Sequence, residues 1–225
     1  DEKYSWPIAS RGLTYRLMGR YEAALADFDR AIELDETPDN LEYLVGLYDE
    51  INDWENVVAT YQRIMELDPN RPYTYYNFGL KLFKRKHIDE AVEQFTHRIT
   101  LAPETAIGAY IHLGIINIQK NRPDQASINF NTANKLINTS SGRNLYDAAT
   151  YTQILCLIML YQETKDVLDQ WKDYFSKFHH TKSEIEELIQ LLQFLLEAPL
   201  PPSGTEKVLS MAQAKLEEIT SVERK

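Results

Sequence analysis

One pattern constrains this chain above all others: the same stretch recurs four times along it. The first copy, residues 8–36, reads IASRGLTYRLMGRYEAALADFDRAIELDE. Its apolar residues return at spacings of three and four, the period of a helix rather than a strand. Ile8, Gly12 and Tyr15 share one stripe, Met18-Gly19-Arg20 interrupts it, and Ala24, Phe28, Ala31 and Ile32 form the next. Small residues at Gly12, Ala24 and Ala31 let two helices approach closely, with Tyr15, Tyr21 and Phe28 filling the space between them. Phe28 recurs as Tyr61, Phe95 and Phe130, at steps of 33, 34 and 35 residues. Ala24 recurs as Val57, Ala91 and Ala126, and Gly12 as Val45, Gly79 and Gly114. A single helical hairpin cannot bury its own apolar face, so the copies must stack on one another.

Four copies in register, each helix, turn and helix, resemble the tetratricopeptide repeat. The family's closing proline stands at Pro69 and Pro103 and is replaced by Glu36 and Asn138 in the first and fourth copies. Its late alanine is kept at Ala31 and Ala133, with Ile64 and Arg98 in the other two. The resemblance implies an all-α, right-handed superhelical solenoid with repeats over 5–37, 38–71, 72–106 and 107–140. A divergent fifth helical pair is expected over 141–180 and capping helices over 181–225, all within one solenoid domain.

Local signals mark the boundaries. Thr37 followed by Pro38 offers a capping hydroxyl and a proline at the first helical position. Residues 121–124 break the fourth copy between its helices, and the polar run 138–144 reads as the longest loop. Ser183 with Glu186 fits a capping box opening an apolar helix. Pro199, Pro201 and Pro202 end that helix, and a last amphipathic segment follows from Thr205, with Val208, Ala212, Leu216 and Ile219 on one stripe. Such a helix is marginal alone, and the expectation is that it docks on the helix over 183–196 and the exposed end of the fourth- and fifth-repeat core.

The same residues exclude several classes. No run of eighteen apolar residues or leader-like N-terminus is present. The chain begins at Asp1, nearly at the first repeat, and an excised or processed form with more chain upstream is expected. A net charge of −10 argues against nucleic acid and anionic membrane partners. Cys156, in an apolar run, reads as a buried thiol, compatible with a reducing, cytoplasmic setting. The histidines at 87, 97, 112, 179 and 180 show no metal-ligand spacing, and no glycine-rich phosphate loop occurs. No cofactor, metal or catalytic group is nominated, and the chain reads as a non-enzyme.

The resemblance implies that the first helix of each repeat lines a concave groove where peptides or helices bind. In that register the first repeat contributes Trp6, Ala9, Leu13, Arg16 and Leu17, and the second Asp39, Glu42, Gly46, Asp49 and Glu50. The third contributes Tyr73, Tyr76, Leu80, Phe83 and Lys84, and the fourth Gly108, Ile111, Ile115, Ile118 and Gln119. Acids in the second repeat depart from family members that clamp a C-terminal carboxylate with Lys, Asn and Arg. The candidate partner-binding residues are Arg16, Glu42, Asp49, Tyr73, Tyr76, Leu80, Phe83 and Lys84. They suit a protein or peptide with apolar anchors and a basic residue, which makes the chain a scaffold or docking module. Against this stands filling of the groove by the chain itself, to which the all-round apolar helix with Ile111, Ile115, Ile116 and Ile118 points. Two other readings remain open: a regulatory domain of a larger enzyme with its catalytic part upstream, and an RNA-binding repeat, which the acidic groove positions disfavour.

Overall fold

The computed structural model describes residues 4–139, 148–162 and 165–223, and among these every regular element is helical. The repeats supply α1 (Ser5–Leu17), α2 (Tyr21–Leu34), α3 (Pro38–Glu50), α4 (Trp54–Leu67), α5 (Pro72–Lys84), α6 (Ile88–Leu101), α7 (Ile107–Gln119) and α8 (Pro123–Ile137). They are followed by α9 (Ala148–Tyr161), α10 (Val167–Lys177), α11 (Lys182–Leu196) and α12 (Thr205–Glu223). The loop expected over 138–144 lies from residue 140 onward outside the described residues, as does the expected start of the fifth helical pair, up to residue 147.

Each repeat closes its hairpin with the same turn. Gly19, Asn52, Lys86 and Asn121 all have positive φ, at 71°, 58°, 62° and 55°. One residue later the backbone N–H of Arg20, Asp53, His87 and Arg122 donates to the carbonyl of Tyr15, Tyr48, Leu82 and Asn117, at 2.8–3.0 Å. This is a left-handed helix cap that satisfies otherwise orphaned carbonyls. Only the first copy uses glycine; asparagine accepts the left-handed conformation readily, and Lys86 takes it at some cost.

The chain forms two compact units, residues 1–78 and 79–225, with the division inside α5. In the first unit α1 packs on α2 and α3, α2 on α3, and α3 on α4. Phe28, Ala24 and Ala31 are fully buried there, Tyr61 nearly so. A Cβ added at Gly12 would fall 2.7 Å from the Phe28 ring, so the ring occupies the space a side chain would need. Buried Asp27 takes a two-pronged hydrogen bond from Arg11, both distances 2.7 Å, tying α2 to α1. Thr37 caps α3 as its sequence suggests, accepting from the Asn40 N–H with Pro38 at the first position.

In the second unit α7 packs on α6 and α8, α9 on α8 and α10, and α12 on α10 and α11. Gly79 faces Phe95 and Gly114 faces Phe130 with the same 2.7 Å spacing found at Gly12. Rings also link successive hairpins. Phe28 stacks on Tyr43 and Tyr61 on Phe78 in the first unit; Phe95 stacks on His112 and Phe130 on Tyr161 in the second. Arg98, in place of the family's small residue, is buried at the end of α6. It donates to the Ala102 and Thr105 carbonyls and the Thr105 hydroxyl, closing the turn into α7.

One local expectation is corrected. The capping box of α11 is formed by Thr181 and Glu184, not by Ser183 and Glu186. The two overlap as Ser/Thr-x-x-Glu patterns, and the earlier one prevails because Thr181 has extended backbone (ψ 156°) while Ser183 is already helical. The last helix docks on α11 as its stripe requires, and on α10 as well, with Val208 and Ala212 fully buried.

The glycine–ring contact generates a direct test. Gly114→Val should lower stability by about 1–3 kcal/mol through overpacking, and Phe95→Ala by about 3–5 kcal/mol through the cavity it leaves. Urea unfolding followed by circular dichroism measures both, and an unchanged midpoint for either would break the proposed register.

Candidate functional site

The stripe expected from the sequence to line a groove begins on α1, α3 and the first part of α5. Trp6 and Leu17 of α1 are 72% and 76% exposed, and Tyr73 of α5 is 55% exposed. Trp6, Asp39 and Tyr73 hold the same position in three successive repeats. Ala9, placed on this stripe by sequence, is instead buried and serves packing. Tyr76 is half-buried, one turn from Tyr73.

Charge is concentrated on α3. The Arg71 Nη2 lies 2.5 Å from Asp39 and 3.4 Å from Glu42, so one guanidinium nitrogen is shared by two carboxylates. Glu42 is half-buried, and that desolvation holds its carboxyl above the usual range even though Arg71 pulls the other way. The Tyr61 phenol is pushed up by its own burial and then by the charges of Glu42 and Asp49. Arg16 reaches across from α1, its Nε 3.5 Å from Glu50 and itself buried without a hydrogen-bond acceptor. Gly46 makes this possible: a Cβ there would meet the Arg16 guanidinium at 2.0 Å. Residues 1–78 carry sixteen acidic and seven basic side chains, net −9, whereas residues 79–225 carry eighteen and seventeen, net −1.

The stripe changes character in residues 79–225. Ile111, Ile115 and Ile118 of α7 are buried, and α11 packs against this helix. Phe83, half-buried, meets Phe194 of α11 edge-on at 4.8 Å between centroids. Lys84 pairs with Glu187 at 2.7 Å, and Lys86 with Glu197 at 3.4 Å. Leu80 is half-buried on the same stripe of α5. Of the eight residues nominated from sequence, Arg16, Glu42, Asp49, Tyr73 and Tyr76 fall in the first unit, and Leu80, Phe83 and Lys84 in the second.

Arg71, Glu187, Phe194 and His112 were not singled out by sequence reasoning. Arg71 lies one repeat from Asp39, which is a faint signal; nothing in the sequence pairs Lys84 with a residue 103 positions away. His112 stacks on Phe95 and meets Phe83 edge-on. Its Nδ1 lies 2.8 Å from the Gly108 carbonyl, so that nitrogen carries the proton that is donated. Burial pushes the imidazole from 6.5 down to about 4; Lys84 adds to the shift and Glu187 opposes it. Among the described residues no cluster of His, Cys, Asp and Glu has metal-binding geometry, and no helix is long and apolar enough to cross a membrane.

Comparison with known proteins agrees with this architecture. Residues 9–38 match the model of the tetratricopeptide repeat family. That match makes the first helical hairpin a tetratricopeptide repeat. A Pseudomonas aeruginosa pilF structure aligns over 96% of this chain and 91% of its own, with 17% identity and a TM-score of 0.58. Yeast Tom70 covers all of this chain with 48% of its length, at 20% identity and a TM-score of 0.60. PilW, described as a type IV pilus biogenesis factor, aligns over 97% of both chains at 15% identity and a TM-score of 0.57. At these identities the likeness is one of fold. No curated protein matches the sequence.

Because His112 sits in the helical stack as a neutral ring, its protonation opposes folding. The unfolded chain takes up that proton near pH 6.5 and the folded chain only near 4. The stabilisation is therefore complete above pH 6.5 and lost as pH falls toward 4, up to about 3 kcal/mol. His112→Phe should flatten the fall in melting temperature over this window relative to wild type. Parallel slopes for the two proteins would remove His112 from the account.

Proposed function

We propose that this chain is a protein–protein interaction module, a scaffold or docking element without catalytic activity of its own. The groove-side face of residues 1–78 takes a peptide or helical segment of a partner, one with apolar anchors and a basic residue. The observation that carries this reading is the exposure of Trp6, Leu17 and Tyr73 on groove-side positions beside Asp39, Glu42 and Asp49. Large apolar groups left in water amid like charges favour an association that covers them. The net charge of −9 in this unit favours a cationic segment and disfavours RNA. Arg71 supports the same chemistry, since Asp39 and Glu42 already share a guanidinium. The unpaired thiol of Cys156, raised to about 12 by burial, suits a reducing, cytoplasmic setting. Fold alone does not decide function, so the reading stands on these side chains.

Selection of peptides from a random 16-residue library against the whole chain tests it. The selected peptides should combine Lys or Arg with aromatic or aliphatic anchors. Tyr76→Ala should weaken them by about 2 kcal/mol if the ring is an interface hot spot. Glu42→Lys should chiefly slow association and change its salt dependence. Selected peptides indifferent to both changes would place the working surface elsewhere.

A further inference from the structure

In residues 79–225 the groove-side stripe is covered by the chain's own α11, and the contact has the form of a helix ligand in its site. Glu187, Phe194 and Glu197 follow one another at intervals of seven and three, along one side of α11 and its C-terminal cap. Each meets a matching group at the end of α5 or in the turn after it: Glu187 meets Lys84, Phe194 meets Phe83, and Glu197 meets Lys86. Ile185, Leu188, Leu192 and Leu195 lie on roughly the opposite side, at intervals of three, four and three, and all are buried. The most extensive neighbour of α11 is α12, and we assign this buried stripe, on the side away from α5, to that seam. The helix therefore has two faces, one making a helical hairpin with α12 and one seated on α5 and α7.

The seat is built differently from the corresponding positions in residues 1–78. Where α3 carries Glu42, Gly46 and Asp49, α7 carries Ile111, Ile115 and Ile118. Where the end of α3 carries Glu50 and Asn52, the third repeat carries Lys84 and Lys86. An apolar floor with lysines at its edge accepts an amphipathic helix with an aromatic anchor and flanking carboxylates, the helix-in-groove mode. The acidic face of residues 1–78 would reject the same helix.

We propose that α11 is a resident internal ligand of a helix-binding surface formed by Phe83, Lys84, Lys86 and α7. The external occupant this surface fits is an acidic amphipathic helix from a partner protein, which competes with α11 for it. The ion pairs that hold α11 there are solvent-exposed, with Glu187 and Glu197 each 54% accessible. Such pairs are weak and screened by salt, so this face of α11 is the more easily exchanged. The hairpin seam with α12 does not depend on it. This inference is independent of the partner assigned to residues 1–78.

The test uses the full chain and a fluorescein-labelled synthetic peptide of residues 181–198, read by fluorescence polarisation. In wild type the seat is filled, and apparent affinity falls by the fraction of time it stands open. Glu187→Lys with Glu197→Lys weakens the internal occupant and leaves the seat intact, so the peptide should bind about tenfold or more tightly than to wild type. Adding Lys84→Glu to that background should abolish the gain, whereas Glu42→Lys should leave it unchanged. Hydrogen exchange should show faster exchange across α11 in the double variant, with α6 and α8 still protected. If the double variant loses helical signal, Phe194→Ala supplies the same opening with a smaller charge change. Equal peptide binding by wild type and both opened variants, or a gain that survives Lys84→Glu, overturns the proposal.

Discussion

A benzyl ring laid against a helix that has no side chain beneath it is the contact on which the structure depends. At Gly12, Gly79 and Gly114 the ring of Phe28, Phe95 or Phe130 takes the place a Cβ would fill. That fixes the separation and rotation of the two helices in a hairpin, because interiors pack too densely to tolerate a shifted ring. Each ring also stacks on the following hairpin, at Tyr43, His112 and Tyr161. One aromatic side chain per repeat thus couples local and next-neighbour geometry, which is how weak hairpins within each unit share a core. The second repeat, with Val45 and Tyr61, keeps the forward stacking through Phe78.

With the hairpins fixed, what distinguishes them is the stripe their first helices leave uncommitted. The same positions carry Ala9, Glu42, Tyr76 and Ile111 in successive repeats, and Arg16, Asp49, Phe83 and Ile118 two helical turns further. None of these positions forms the glycine–ring contact, so their residue types differ from repeat to repeat. The outcome is an acidic, aromatic-bearing face in residues 1–78 and an apolar face edged with lysine in residues 79–225. The second is occupied by α11. His112 shows how closely the two roles adjoin: it belongs to the ring ladder through Phe95 and touches groove-side Phe83 on its other side.

The repeat period and the identity of the packing residues were legible in the sequence because both are local or strictly periodic. Helix, turn and helix follow from spacings of three and four around Phe28 and its counterparts, and Thr37 announces the start of α3 through a bond only three residues long. The left-handed residue in each turn was legible at Gly19 alone. Asn52 and Asn121 tolerate the same geometry, whereas Lys86 adopts it because the closed hairpin demands it. The α11 box was misplaced by two residues since two overlapping patterns satisfied the same local rule.

By itself the sequence determined that this protein is a stack of helical hairpins, which rings lie in its seams, and which side chains share the uncommitted stripe. These follow from periodicity, and periodicity needs no knowledge of distant contacts. Only the tertiary structure decided what that stripe meets. Lys84 and Glu187 are 103 residues apart, and Phe83 and Phe194 further still, with no repeat relating them. Their meeting depends on where the hairpin of α11 and α12 comes to rest, and that is settled by packing of α12 on α10 and of α11 on α7 rather than by any local preference of the chain.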